Sequence, residues 1–134
     1  MTAPRYAAKL AAYQSASAHG GVAAADPHKL ILMLMDGAID RISAARGCIE
    51  RRDTSEKARL ISRAMAIVAE LRGCLNLKGG GSIAANLSEL YDFVGRRLLA
   101  AQAEDNLAHL DDASRVLGDI RGAWSTIPQQ LARR

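Results

Sequence analysis

Aromatic residues are scarce in this chain, with three Tyr, one Phe and one Trp among 134 residues. The β-branched residues are scarce too: four Val, nine Ile and three Thr. These residue types favour strands, so their shortage argues against a sheet-rich fold. No apolar run approaches the roughly 20 residues needed to cross a bilayer. The opening MTAPRYAAKLAAYQ also lacks the continuous apolar core of a signal peptide. A cytoplasmic protein without membrane insertion is expected. Cysteine is limited to Cys48 and Cys74, which have neither CxxC nor helical metal-ligand spacing. On antiparallel helices that turn near Asp53, the two would lie on the order of 20 Å apart at ~1.5 Å per residue. That is well beyond the ~7 Å limit for a disulfide. Two reduced thiols and no metal are expected, as suits a cytosolic compartment.

Charge of one sign does not dominate. The net charge is +4, and all of that excess lies between Arg41 and Arg72, where eight basic residues meet four acids. Around Asp105 to Asp119 the sign reverses, with four Asp against Arg115. Mixed charges on helices form solvated faces. No aromatic residue lies in the basic stretch to stack on bases, so nucleic-acid binding is not expected.

What the chain has in quantity is Ala (26) and Leu (16), both strong helix formers. A chain of this length supports a single domain with a real core. Residues 1–25, with His19-Gly20-Gly21, read as a flexible N-terminal arm holding a short helical piece around Ala7 to Gln14. Asp26-Pro27 is a helix start, because the carboxylate caps free N–H groups and proline suits the first helical position. The first helix runs to about Glu50 on a stripe of Ile31, Met35, Ala38, Ile42, Ala45 and Ile49. Asp53-Thr54-Ser55-Glu56 opens a second helix with Ile61, Met65, Val68, Leu71 and Leu75 inward. Lys78 to Gly81 breaks it. Ser82 caps a third helix, with Ile83, Leu87, Leu90, Tyr91, Val94 and Leu98 inward. Asp105 caps a fourth, with Leu107, Leu110, Leu117, Ile120 and Trp124 inward, and Pro128 ends it. The expected fold is all-α, an antiparallel up-down four-helix bundle over residues 26–128, with a tail at 129–134.

Two features exceed what such a bundle needs. Leu30 to Met35 is an unbroken run of six apolar residues, of which one helical stripe buries two or three. The first helix either touches neighbours on two sides or offers a second apolar surface to a partner, with the methionines as adaptable contacts. The second feature is Gly37, Gly47, Gly73, Gly95, Gly118 and Gly122, all within or near the ends of helices. Close helix approach is the favoured explanation for each, and bare docking surface the alternative.

Catalytic chemistry is missing from the pattern. His19, His28 and His109 lie in separate segments without a Glu-x-x-His pair, and His28 reads as solvated. Gly79-Gly80-Gly81 lacks the Lys and hydroxyl of a phosphate loop. Ser15, Ser17, Ser62 and Ser88 have no recognisable base beside them. The remaining enzyme alternative is a helical lyase or mutase in which Arg41, Arg63, Arg96 and Arg97 converge on an anion. A generic dimerising adaptor is the other rival. No cofactor is expected.

Two stretches carry a family resemblance. Asp26 to Ala38 (DPHKLILMLMDGA) and Gly80 to Phe93 (GGSIAANLSELYDF) resemble, in order, the two signature segments of the flagellar secretion chaperones, the FliS family. Arg96-Arg97-Leu98, Trp124 and Tyr13-Gln14 extend the likeness from about Leu10 to Ile127. The resemblance implies a non-enzymatic cytosolic bundle that binds the disordered C-terminal segment of flagellin, blocks premature polymerisation and hands it to the cytosolic domain of the export gate. It also implies a client laid as short helices in apolar grooves, and an arm whose Leu10, Tyr13 and Gln14 act as a lid. The client groove is expected on the first three helices, at Leu32, Met35, Ile39, Ile67, Leu71, Leu87 and Tyr91. A homodimer stays open. Ser82 departs from the acid that usually follows the glycines in this family.

Overall fold

The computed structural model describes residues 26–75 and 80–126, which form four helices: α1 (Pro27–Arg51), α2 (Thr54–Gly73), α3 (Gly81–Glu104) and α4 (Leu107–Thr126). The arm with Leu10, Tyr13 and Gln14, and the tail from 127, lie outside the described residues.

Each helix end has a chemical cause. The Asp26 carboxylate accepts the Lys29 N–H at 3.1 Å, with Pro27 in the first turn. α1 stops because Arg52 turns left-handed at φ 60°, and the Asp53 N–H then reaches back to the Cys48 carbonyl at 2.8 Å. Asp53 at once caps α2 by accepting the Glu56 N–H at 3.3 Å. Two residues therefore reverse the chain. A second two-residue turn joins α3 to α4. Asp105 was expected to cap α4, but it terminates α3 at φ 54°. The capping oxygen is that of Asn106, which accepts the Ala108 N–H at 2.9 Å. Ser82 does not cap α3 either. The N-cap position falls two residues earlier, at Gly80, which offers no side-chain cap. Gly81 itself sits at φ +57°, where a β-carbon would be strained.

Consecutive helices pack side by side and α4 returns to α1, while the diagonal pairs do not meet. Ion pairs Asp36–Arg121 and Arg46–Asp111 fix the antiparallel register of α1 and α4. The result is the expected up-down bundle. Its core combines bulky residues (Met35, Ile42, Ile61, Leu71, Leu98, Leu110, Leu117) with Ala38, Ala45, Ala64, Ala101 and Ala113 at 0% exposure, so alanine fills the helix interfaces. Two expected inward positions of α3 are corrected: Ile83 is 71% and Leu90 40% exposed. Ile83 lies in the first turn of α3, beyond the cover of its neighbours. Cys48 is buried and Cys74 exposed, and both are free. Close approach does not explain four of the six helical glycines. A β-carbon at Gly73, Gly95, Gly118 or Gly122 would meet nothing within 4 Å. No helix among the described residues is long and apolar enough to cross a membrane.

Candidate functional site

The apolar run on α1 is shared between two flanks. Met35 is fully buried, Leu30, Ile31, Leu32 and Leu34 are half-buried, and Met33 is exposed. At 3.6 residues per turn, six consecutive side chains circle the helix. α1 packs on α2 at one side and α4 at the other, so four of them find partial cover. The surplus is real and partly wet.

The edge of α1 that meets α4 is built on a row four residues apart. His28, at the first turn, is buried by Trp124, with the rings stacked at 5.3 Å and 15°. His28 Nε2–H donates to the Trp124 carbonyl at 2.6 Å, and Trp124 Nε1–H donates to the His28 carbonyl at 3.0 Å. This reciprocal clasp corrects the expectation that His28 is solvated. Leu32 follows one turn later, then Asp36, which receives two hydrogen bonds from Arg121 at 2.7 and 3.3 Å. Ile39 lies beyond, and Arg46–Asp111 closes the seam at 3.0 Å. The hydrogen bond and charge of Arg46 hold the Asp111 carboxyl below its usual range, and Asp111 raises Arg46 in turn. The seam is thus apolar at Leu32 and Ile39 and ionic around them.

The seven expected groove residues divide. Leu32, Ile39 and Leu87 are half-buried and available. Met35, Ile67, Leu71 and Tyr91 were expected to line the client groove, but they are core, between 0% and 6% exposed. Their side chains hold the helices together because they fall on the middle of each inward stripe. Burial pushes the Tyr91 phenol up to about 12. Leu32 and Ile39 on α1 and Leu87 on α3 also belong to diagonal helices, so the three do not form one groove.

The arginines expected of an enzyme do not converge. Arg41 donates to the Gly37 carbonyl of its own helix, Arg96 pairs with Asp92, and Arg63 is exposed. Arg97 lies over the Phe93 ring at 5.6 Å and donates to His109 Nδ1, whose Nε2–H donates to Glu104. No group of three or more His, Cys, Asp or Glu among the described residues is placed to hold a metal. Sequence reasoning missed Lys57, which is 3% exposed and donates to the Gln102 carbonyl and to Asp105. It also missed the clasp. The signal was present in both cases: His28 lies on the Ile31–Met35 stripe, and Lys57 on that of Ile61, Ala64 and Val68.

The molecule is thus of the class of small antiparallel four-helix bundles, with open apolar edges as its distinguishing surface. The sequence comparisons make the class specific. Residues 9–131 match the family described as "Flagellar protein FliS". The chain is 38% identical to the flagellar secretion chaperone FliS of Salmonella typhimurium, covering 90% of each chain. It is 35% identical to FliS of Vibrio cholerae, covering 90% of this chain and 89% of that one. Against FliSB of Pseudomonas aeruginosa the identity is 37%, over 86% of this chain and 91% of that one. The chain belongs to the FliS family of flagellar secretion chaperones.

Proposed function

We propose that this chain is a cytoplasmic chaperone for flagellin. It binds the disordered C-terminal segment, prevents premature polymerisation and presents the client to the cytosolic domain of the export gate. The supporting observation is the apolar surplus on α1: Met33 is 40% exposed, and Leu32 and Ile39 line a half-open edge. An unstructured apolar segment that folds into helices on binding matches such edges. The client contacts are assigned to Leu32, Met33 and Ile39 on α1 and to Leu87 on α3. Met35, Ile67, Leu71 and Tyr91 support them from within. The N-terminal residues Leu10, Tyr13 and Gln14 cover apolar surface when no client is bound.

Binding of a C-terminal flagellin peptide, followed by calorimetry, tests this reading. Leu32→Asp is expected to weaken binding at least tenfold with unchanged far-UV helicity, because Leu32 is half-exposed. Met35→Asp is the control. A carboxylate at a site of 0% exposure should unfold the bundle, at a cost of about 4 kcal/mol or more. Unaltered affinity in the Leu32 variant removes the α1 edge from the site. Failure of the native chain to bind any flagellin segment overturns the function itself. Deleting residues 1–16 should raise binding of a hydrophobic dye, and an unchanged signal counts against the lid.

A further inference from the structure

Phe93, Arg97, Glu104 and His109 form a relay on the α3–α4 edge, away from the ion-pair seam of α1 and α4. Arg97 lies over the Phe93 ring one turn earlier on α3, 5.6 Å from its centre. It also reaches across to α4, where it meets His109 Nδ1 at 3.2 Å, and His109 Nε2 meets Glu104 at 2.9 Å. Proton positions follow from the partners. A guanidinium has donors only, so His109 Nδ1 turns its lone pair toward Arg97. An ionised carboxylate only accepts, so the ring proton sits on Nε2. The geometry is that of a neutral imidazole in one tautomer.

This relay can be broken at a single atom. A second proton can enter the ring only at Nδ1, the atom that receives Arg97. Its arrival removes the acceptor and sets a positive charge against a guanidinium that cannot itself lose a proton. The His109 side chain is only 15% exposed, so water screens that repulsion incompletely. Arg97 has little else to hold it. The bond to His109 is its only side-chain hydrogen bond among the described residues, and its buried Nε finds no partner. Glu104, by contrast, keeps its bond to Nε2 in both states and favours the charged ring. Other charges nearby are engaged elsewhere. On α4, Asp112 pairs with Arg115, and Asp105 before it takes Lys57 of α2. On the α1 flank of α4, Arg46 pairs with Asp111. The proton therefore acts first on Arg97 and Glu104.

Arg97 stands at the end of an apolar strip. Ile83, Leu87, Leu90 and Phe93 follow one another at steps of four, three and three residues, with Ile83 71% and Leu90 40% exposed. Phe93 is half-buried, and the guanidinium covers its ring. We propose that His109 is a proton-operated latch on the α3–α4 edge. Neutral, it seats Arg97 on Phe93; protonated, it releases Arg97 and lengthens the Ile83–Leu90 strip to Phe93. The latch holds whether or not flagellin is the client.

Side-chain NMR on the full chain tests it. At about pH 8 the His109 ring should be the Nε2–H tautomer and the Arg97 Nε–H well ordered. On acidification to about pH 5, Arg97 should lose that order with the same midpoint as the His109 ring. Linkage supplies a second reading: if the proton expels Arg97, then Arg97 resists the proton. Arg97→Met should therefore raise the proton affinity of His109 several-fold, and Glu104→Gln should lower it. His109→Gln should make the order of Arg97 independent of pH over this range. An Nδ1–H tautomer at the alkaline end, or Arg97 order that ignores the His109 titration, overturns the proposal. So does an unchanged His109 titration in a folded Arg97→Met variant.

Discussion

His28→Ala is the most informative single perturbation of this bundle. It removes the Nε2–H bond to the Trp124 carbonyl, one face of the ring stack, and a side chain that is itself buried. A net hydrogen bond contributes about 1 kcal/mol, and an aromatic pair about 0.5–1.5 kcal/mol beyond its area. The expected loss is therefore about 2–3 kcal/mol. Trp124→Phe keeps a ring in place and removes only the Nε1–H bond to the His28 carbonyl, so it should cost about 1 kcal/mol. The geometry makes a sharper statement about coupling. Both hydrogen bonds run from a side chain to the opposite backbone, so each is lost entirely in its own single variant. Only the stack joins side chain to side chain. In a cycle of His28→Ala, Trp124→Ala and the double variant, the coupling energy should therefore equal the stack alone, about 0.5–1.5 kcal/mol. Urea unfolding followed by far-UV circular dichroism measures all four species. A cost below 0.5 kcal/mol for His28→Ala would refute the clasp. A coupling of 3 kcal/mol would refute the assignment of the bonds to backbone partners.

Three further outcomes follow from buried groups and bare helix surface. Tyr91 titrates at about 12 when folded and near 10 when unfolded, so the native state holds the proton longer. Its stabilisation is whole below pH 10 and fades between pH 10 and 12, by about 2–3 kcal/mol in total. Tyr91→Phe should flatten that decline in pH-dependent urea melts, and an identical slope rejects the cause. Lys57→Met should cost about 1–2 kcal/mol through loss of the bonds to Gln102 and Asp105. Lys57→Ala should cost more because it also leaves a cavity, and equal costs would mean that the stem does not pack. Gly118→Ala should stabilise by roughly 0.5–1 kcal/mol, since a β-carbon there meets nothing within 4 Å. A lower melting temperature would show an approach that the structure does not contain.

Much of the architecture was legible because it depends on local rules. The Asp26-Pro27 and Asp53 starts are set by residues within a turn, and the inward stripes of α2 and α4 follow the helical period. The failures lie where two adjacent residues compete for one role, or where partners are remote in sequence. Asp105 and Asn106 are both competent caps, and the left-handed turn at Asp105 decided between them. His28 is covered by a residue 96 positions away, which no local window contains. The candidate surface was legible as a surplus of apolar residues but not as an orientation. The helical period marked Met35 as inward, and it is core. What the period did not show is that Leu32 lies at the edge facing α4 rather than at the α2 edge.

The two ends of the bundle are unequally fastened. At one pole, two-residue turns at Arg52-Asp53 and Asp105-Asn106 staple all four helices in pairs, and Lys57 bridges the pairs. At the other pole the backbone makes the longer connection from Cys74 to Gly80, and Arg72 ties α2 to Ser88 and Asp92 of α3 at the surface. The His28–Trp124 clasp closes α1 on α4 there, two turns beyond the Asp36–Arg121 pair. Thermal opening should therefore start at the clasp and run toward the staples, with amide exchange graded along every helix rather than from helix to helix. The bundle is built as a four-tined clip, with a stiff hinge at one end and a lighter catch at the other.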